Sequence, residues 1–323
     1  GDSYQGNIKN GLRSGEGTYN WQNGQKYNGD WELDMRNGFG INTWPNGDKY
    51  SGQWLNDKKH GKGVYIWSNG NKYDGDWELD MRNGFGVNTW ASGDKYSGKW
   101  IKGARTGQGE YIWANGNIYI GQFQNGKKDG LGTLKWVGGT IYQGSFKENK
   151  RNGKGLLEFS NGDKYEGNFR NGKKEGEGAF YFASGNKHVG SYKDGKYNGF
   201  GIFTFKNGDK YLGQFINDKY NGEGILYKVN GKTKEGIWKD NVFQYSKKIK
   251  LPNAKIASLL NKKSSEVISK SLPRCSNLNY KHLCTGTHKF SNGAIYNGEF
   301  KNNKFDGFGS LVWKDGAKYV GQF

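Results

Sequence analysis

The chain has 323 residues, with 55 glycines, 3 prolines, 16% aromatic residues and a formal charge of +19. Two cysteines exclude a disulfide framework and fit a reducing compartment. No apolar run reaches a membrane span and no signal-type segment opens the chain, so a soluble, cytoplasmic protein is expected. Glycine-rich disordered chains are poor in rings; here rings abound, so the glycine belongs to ordered turns and close backbone contacts.

From the first residues onward one glycine returns every 23 residues: Gly6, Gly29, Gly52, Gly75, Gly98, Gly121, Gly144, Gly167, Gly190, Gly213 and Gly236. After one interruption it returns at Gly298 and Gly321. Such a period marks stacked units that pack mainly on their neighbours, not the two globular domains that length alone suggests. The chain opens inside a repeat (Gly1-Asp2-Ser3-Tyr4 against Gly47-Asp48-Lys49-Tyr50) and closes inside another at Tyr319-Val320-Gly321-Gln322-Phe323. It is therefore expected to be a piece of a longer protein.

Residues 50–72, YSGQWLNDKKHGKGVYIWSNGNK, define the unit. Tyr50, Gly52 and Trp54 alternate by two and share one strand face. Six residues of turn character follow, and Gly61, Gly63, Tyr65 and Trp67 then alternate again. Ser68-Asn69-Gly70-Asn71 supplies the left-handed positions of a tight turn into the next unit. Each unit is predicted to be a β-hairpin. Its glycines leave room for rings such as Tyr50 and Trp54 to lie on the neighbouring backbone. The opposite face, with Ser51, Gln53 and Lys62, reads as solvated. The predicted fold is all-β, an elongated single-layer array of about 13 antiparallel hairpins rising about 10 Å per repeat. Residues 27–40 and 73–86 differ only at Asn28 and Asp74, which fits duplication of a 46-residue pair. The ring before the inter-unit turn is Trp21, Trp44, Trp67, Trp90, Trp113 and Trp136, then Phe159, Phe182 and Phe205.

The motif Tyr-x-Gly-x-Trp/Phe, with Gly-x-Gly about seven residues on and Asn-Gly before the next Tyr, resembles the MORN repeat over nearly the whole chain. Eleven of the thirteen glycines have Tyr two residues before them, His188 and Lys234 being the exceptions. The resemblance implies a non-catalytic structural scaffold without a cofactor, whose partners are other structural proteins. Long MORN arrays occur in radial spoke head components of cilia and flagella and in cytoskeletal scaffolds of protist parasites, so an axonemal or cytoskeletal location is implied. It also implies an alternative, a membrane-associated module, as in the membrane-bridging junctophilins. In plant phosphatidylinositol phosphate kinases the array accompanies a kinase domain, which these residues lack. Open strand edges leave self-association as a third reading.

The register holds through Lys234, Gly236 and Trp238 and then breaks. The glycine pair due near residue 245 is absent, and the pattern returns as Cys284-x-Gly286-x-His288-x-Phe290 with Ser291-Asn292-Gly293 behind it. The array is thus expected over residues 1–243, about 10.5 repeats, and over residues 284–323, ending within repeat 13. Residues 244–283 form an insertion in the loop of repeat eleven. Residues 244–289 hold ten Lys/Arg and one acid, Glu266, which is +9 of the total +19. Between Pro252 and Pro273 a helix is predicted over residues 253–272. Ile256, Leu259, Leu260 and Val267 form its apolar stripe, with Lys255, Lys262, Lys263 and Lys270 around it. Either the stripe docks back on the array, or these lysines clamp an acidic protein tail or an anionic lipid surface.

Other chemistry is argued against. Cys275, His282, Cys284 and His288 lack the Cys-x-x-Cys knuckle of zinc sites, and the last two stand at packing positions of the repeat. Gly-x-Gly recurs at the repeat period and opens no helix, so it is not a phosphate loop. Carboxylates such as Glu32, Asp34, Glu78 and Asp80 recur in turns as solvated charges, and His60 has no matched nucleophile. No nucleic-acid-binding signature is present, so neither catalysis nor metal nor nucleic-acid binding is expected.

Overall fold

A computed structural model describes residues 1–250, 252, 256, 259, 284–301 and 304–322. The described residues are dominated by 26 strands, paired in antiparallel hairpins. They fall into two compact units, one of Gly1–Lys127 with Cys275–Phe323 and one of Lys128–Arg274.

The unit of residues 50–72 shows why this sequence forms this hairpin. Strand Lys49–Leu55 pairs with strand Lys58–Ile66 across a two-residue turn, Asn56-Asp57, with φ of 47° and 64°. Two left-handed residues make a type I′ turn, whose twist matches that of the flanking strands. The six-residue turn expected from sequence is therefore shorter, and Lys58–His60 already belong to the second strand. The extra residues are taken up by a bulge. Gly52 faces Gly63 and Trp54 faces Lys59, so Gln53 alone on one strand opposes His60, Gly61 and Lys62 on the other. Gly61 sits in the bulge at φ 58°, and Gln53 Oε1 accepts the Lys62 N–H at 3.0 Å. Asp30 does the same for the Phe39 N–H at 2.7 Å.

Successive hairpins keep register. Glycine therefore faces glycine from Gly6 through Gly17, Gly29, Gly40, Gly52 and Gly63 to Gly121 in the first unit. A second row runs from Gly132 to Gly236 in the other unit, and Gly286, Gly298, Gly309 and Gly321 form a third in a four-stranded sheet. The reason is steric. A Cβ on Gly63 would lie 2.3 Å from the Tyr50 hydroxyl, and one on Gly52 would lie 2.4 Å from the Gly63 Cα. Tyr50 lies flat in this space with no solvent exposure, and its hydroxyl donates to the Gln53 carbonyl at 2.8 Å. Trp54 meets the edges of both Tyr50 and the preceding Tyr27, and its indole N–H donates to the Gly40 carbonyl at 3.2 Å. Each repeat thus buries its rings against itself and the one before, which is how a single sheet acquires a core on one face.

The eleventh hairpin departs from the sequence reading. Its second strand was expected to return at Cys284, but Val242–Ser246 pairs with Thr233–Lys239 directly, across the turn Asp240-Asn241. A backbone ladder needs no glycine pair, and Phe243 packs against Trp238 at 5.2 Å. Cys284–Lys289 instead pairs with Ile295–Lys301.

Beyond Ser246 the chain crosses to the other face. The Ile249 N–H bonds Glu235 Oε1 at 2.6 Å, and Lys247 Nζ bonds Glu223 Oε1 at 2.8 Å. Ile256 and Leu259 are helical, and the Ile256 N–H bonds the Pro252 carbonyl at 3.0 Å. Leu259, 3% exposed, packs on Ala179, Val189 and Ile202, with Ile256, Phe200 and Leu212 around it. The face expected to be solvated is therefore apolar and covered here. The rest of the predicted helix, with Leu260, Val267, Lys255, Lys262, Lys263 and Lys270, lies outside the described residues.

Candidate functional site

Two rows of side chains run across the strands on the ring-bearing face, above the glycine row. The first is the ring before each inter-unit turn. Trp21, Trp44, Trp67, Trp90 and Trp113 in one unit, and Trp136, Phe159, Phe182 and Phe205 in the other, are all half-buried. Trp44 stacks on Tyr65 at 5.3 Å and 30°, and Tyr65 meets Trp67 at 4.6 Å.

The second row was not identified from sequence, although it has the same 23-residue period. Arg13, Arg36, Lys59, Arg82 and Arg105 are followed in the second unit by Lys128, Arg151 and Lys174. Arg13 faces Ile8, whereas Arg36, Lys59, Arg82, Arg105, Arg151 and Lys174 each face the aromatic residue of their hairpin, as Trp54 faces Lys59. The cations cover ring faces of the following repeat: Arg13 over Trp31 at 4.2 Å, Arg36 over Trp54 at 4.1 Å, Arg82 over Trp100 at 4.2 Å. Such contacts stabilise by about 0.5–2 kcal/mol each, more as the cation loses water.

In the first three repeats each cation also has an acid 21 residues on, in the next hairpin turn. Arg13 pairs with Asp34 at 2.9 Å, Arg36 with Asp57 at 2.8 Å and Lys59 with Asp80 at 3.1 Å. The Arg13 backbone N–H, then its side chain, holds the Asp34 carboxyl below its ordinary value. From Arg82 onward the acid is gone. Gly103, Gly126, Gly172 and Gly195 occupy its place for Arg82, Arg105, Arg151 and Lys174. The guanidinium groups keep the contact to the turn carbonyl that Arg13 and Arg36 also make, Arg82 on Gly103 at 3.1 Å, Arg105 on Gly126 at 2.6 Å and Arg151 on Gly172 at 2.6 Å, but without the carboxylate beside it. Burial pulls Arg82, Arg151 and Lys174 below their usual values.

The row changes character after Lys174. Tyr197, Tyr220 and Phe243 take the cation positions. Tyr197 stacks at 3.8 Å on His188, which replaces the repeat tyrosine and sits 3.0 Å from the Tyr192 hydroxyl through Nδ1. Burial, with the charge of Lys174 second, pushes the imidazole down to about 3, so it packs as a neutral ring. Just before this change lies an open depression of about 490 Å³, lined by Trp136, Arg151, Phe159, Phe169, Gly172, Lys174 and Gly195 among others.

The sequence-derived candidates fall differently. The repeat glycines lie beneath the rings and shape this face, while Lys255, Lys262, Lys263 and Lys270 lie outside the described residues. Among the described residues no three His, Cys, Asp or Glu side chains are grouped to hold a metal ion. The arrangement offers flat rings and half-buried cations, which is the chemistry of binding.

Glycine rows, buried tyrosines and type I′ hairpins at a fixed period define a hairpin-repeat scaffold. The chain belongs to the MORN-repeat family. The family model described as MORN repeat matches residues 4–26, 27–49, 50–72, 73–95, 96–118, 119–141, 142–164, 165–187, 188–210, 211–233 and 296–318. No curated protein matches the chain. Among solved structures it is similar to the TCP domain of SAS-4 (dCPAP) in complex with a proline-rich motif of Ana2 (dSTIL) from Drosophila melanogaster. That match has 14% identity over 55% of this chain and 84% of that one, with a TM-score of 0.30. The TCP10c domain of Drosophila melanogaster Sas-4 matches at 16% identity over 47% of this chain and 90% of that one, TM-score 0.29. Virginiamycin B lyase from Staphylococcus aureus matches at 8% identity over 100% and 89%, TM-score 0.13. These scores are too low to carry an argument.

Proposed function

We propose that this chain is a non-catalytic structural scaffold that docks other proteins along its ring-bearing face, in a ciliary or flagellar axoneme of radial-spoke type or in another cytoskeletal assembly. The observation that supports this is the repetition of half-buried rings and cations at the 23-residue period. Aromatic and arginine side chains are enriched in protein interfaces, because they combine a large contact area with a polar handle. A surface that repeats engages one partner at several points, and multivalent contact converts weak sites into firm attachment. Expressed with a tag in a ciliated cell, the chain should stay with detergent-extracted axonemes and leave them at high salt. Complete extraction by detergent alone would overturn the cytoskeletal assignment.

The second reading, binding to anionic phospholipid, is favoured by the +9 carried by residues 244–289. Exposed charges are screened beyond about 8 Å at physiological salt, so that charge acts only at close range. Sedimentation with phosphoinositide vesicles at about 0.15 M salt separates the two. Strong binding that survives replacement of residues 246–282 by a short linker would put the lipid reading first.

A further inference from the structure

We propose that the ring-bearing face of the second unit binds an acidic, extended protein segment whose carboxylates take the position that Asp34, Asp57 and Asp80 hold in the first unit. This rests on the protein-docking reading above and names the chemistry of the docked segment.

The chain itself supplies the precedent. In the second repeat Asp57 Oδ1 lies 2.8 Å from Arg36 Nε and 3.0 Å from the Arg36 N–H. The equivalent positions for Arg151 and Lys174 are Gly172 and Gly195, which have no side chain. Neither Arg151 nor Lys174 makes an ion pair among the described residues, and both are half-buried among rings. Arg151 ends on the Gly172 carbonyl, a dipole that does not cancel its charge. A half-buried charge is poorly hydrated and weakly screened, so a carboxylate placed beside it gains more than at an open surface. The depression of about 490 Å³ lies at these two residues, with Trp136, Phe159 and Phe169 as its apolar walls.

Geometry also sets the ligand's form. The cations line up across the strands, so the segment crosses the sheet and does not extend it as another strand. Equivalent positions recur every two strands, about 9.6 Å. A polyproline II segment advances about 3.1 Å per residue with three residues per turn, which brings every third side chain to one side at about 9.3 Å. The matching ligand carries Asp or Glu at every third position. A lipid headgroup fits less well, because a flat bilayer surface has to reach cations that are half-buried among the rings.

The test uses the full chain and a fluorescein-labelled peptide with Glu at every third position and Pro or Ala between, against its Gln counterpart, read by anisotropy at about 0.15 M salt. The Glu peptide should bind at least about tenfold more tightly than the Gln peptide. The double variant R151Q/K174Q should lose that preference. G172D/G195D should lose it too, by filling the vacant carboxylate positions with a residue that the same turn position accepts at Asp34 and Asp57. K154Q, which removes an exposed lysine of the same unit at the position that Lys62 holds on the opposite face, should bind the peptide normally. Equal binding of the two peptides, or unchanged binding in both double variants, overturns the proposal. So does binding to phosphoinositide vesicles that the same variants abolish, which would assign the face to lipid. Axonemal retention is scored alongside. Retention without peptide preference sinks this inference alone, whereas loss of retention in the unmodified chain sinks the broader reading.

Discussion

At the scale of single residues, the structure depends on what is absent at the glycine row. Gly63 leaves the space in which the Tyr50 ring lies, 2.3 Å from where a Cβ would be. Its backbone is ordinary extended strand, so the requirement is for volume and not for a left-handed conformation. Gly63→Ala should therefore destabilise the first unit by about 1–3 kcal/mol, the usual cost of overpacking, read as a lower denaturation midpoint with an unchanged slope. A neutral effect would mean that Tyr50 can leave its site freely. The glycines were legible in the sequence because the same residue returns at every 23rd position from Gly6 to Gly236. The cations from Arg13 to Lys174 keep the same period but were not singled out, since the row mixes Arg with Lys and either residue on a half-exposed sheet is ordinary until a ring is seen beneath it.

At the scale of elements, the hairpin was legible and its interior was not. Alternation by two located the strands, but the residues between Trp54 and Gly61 carry no Asn-Gly or Asp-Gly pair, so the two-residue turn at Asn56-Asp57 and the bulge at Gly61 read as one long loop. The segment after Ser246 shows the converse. Its apolar stripe was legible as a stripe, yet its partner was not, because Ala179, Val189 and Ile202 alternate with buried rings and look like ordinary strand residues. Leu259→Asp puts a charge against that patch and should release the segment, not unfold the unit. Amide exchange at Ile249, whose N–H is held by Glu235, should quicken while the global unfolding free energy changes by less than about 1 kcal/mol. Unchanged exchange at Ile249 would show that the two contacts are independent.

At the scale of the whole molecule, the period has a direct consequence. Removing residues 50–72 joins Lys49 to Tyr73, brings Gly75 to the register of Gly52, and puts Asp80 where Asp57 served Arg36. The shortened chain should keep the mean-residue far-UV spectrum and fold cooperatively, as expected when each repeat packs only on its neighbours. Removing residues 50–60 deletes the same tyrosine and tryptophan but breaks the register, and should abolish folding of the first unit. Equal behaviour of the two deletions would refute the register argument. By itself the sequence determined the all-β class, the hairpin unit, the register of its glycines and the place where that register breaks, because strict periodicity leaves one way to stack identical units. Only the tertiary structure decided which charges have partners. Arg36 meets the Asp57 carboxylate and Arg151 the Gly172 carbonyl because residues 21 apart become neighbours when one hairpin lies beside the next. That contact is made between repeats, where no local pattern within a repeat can announce it.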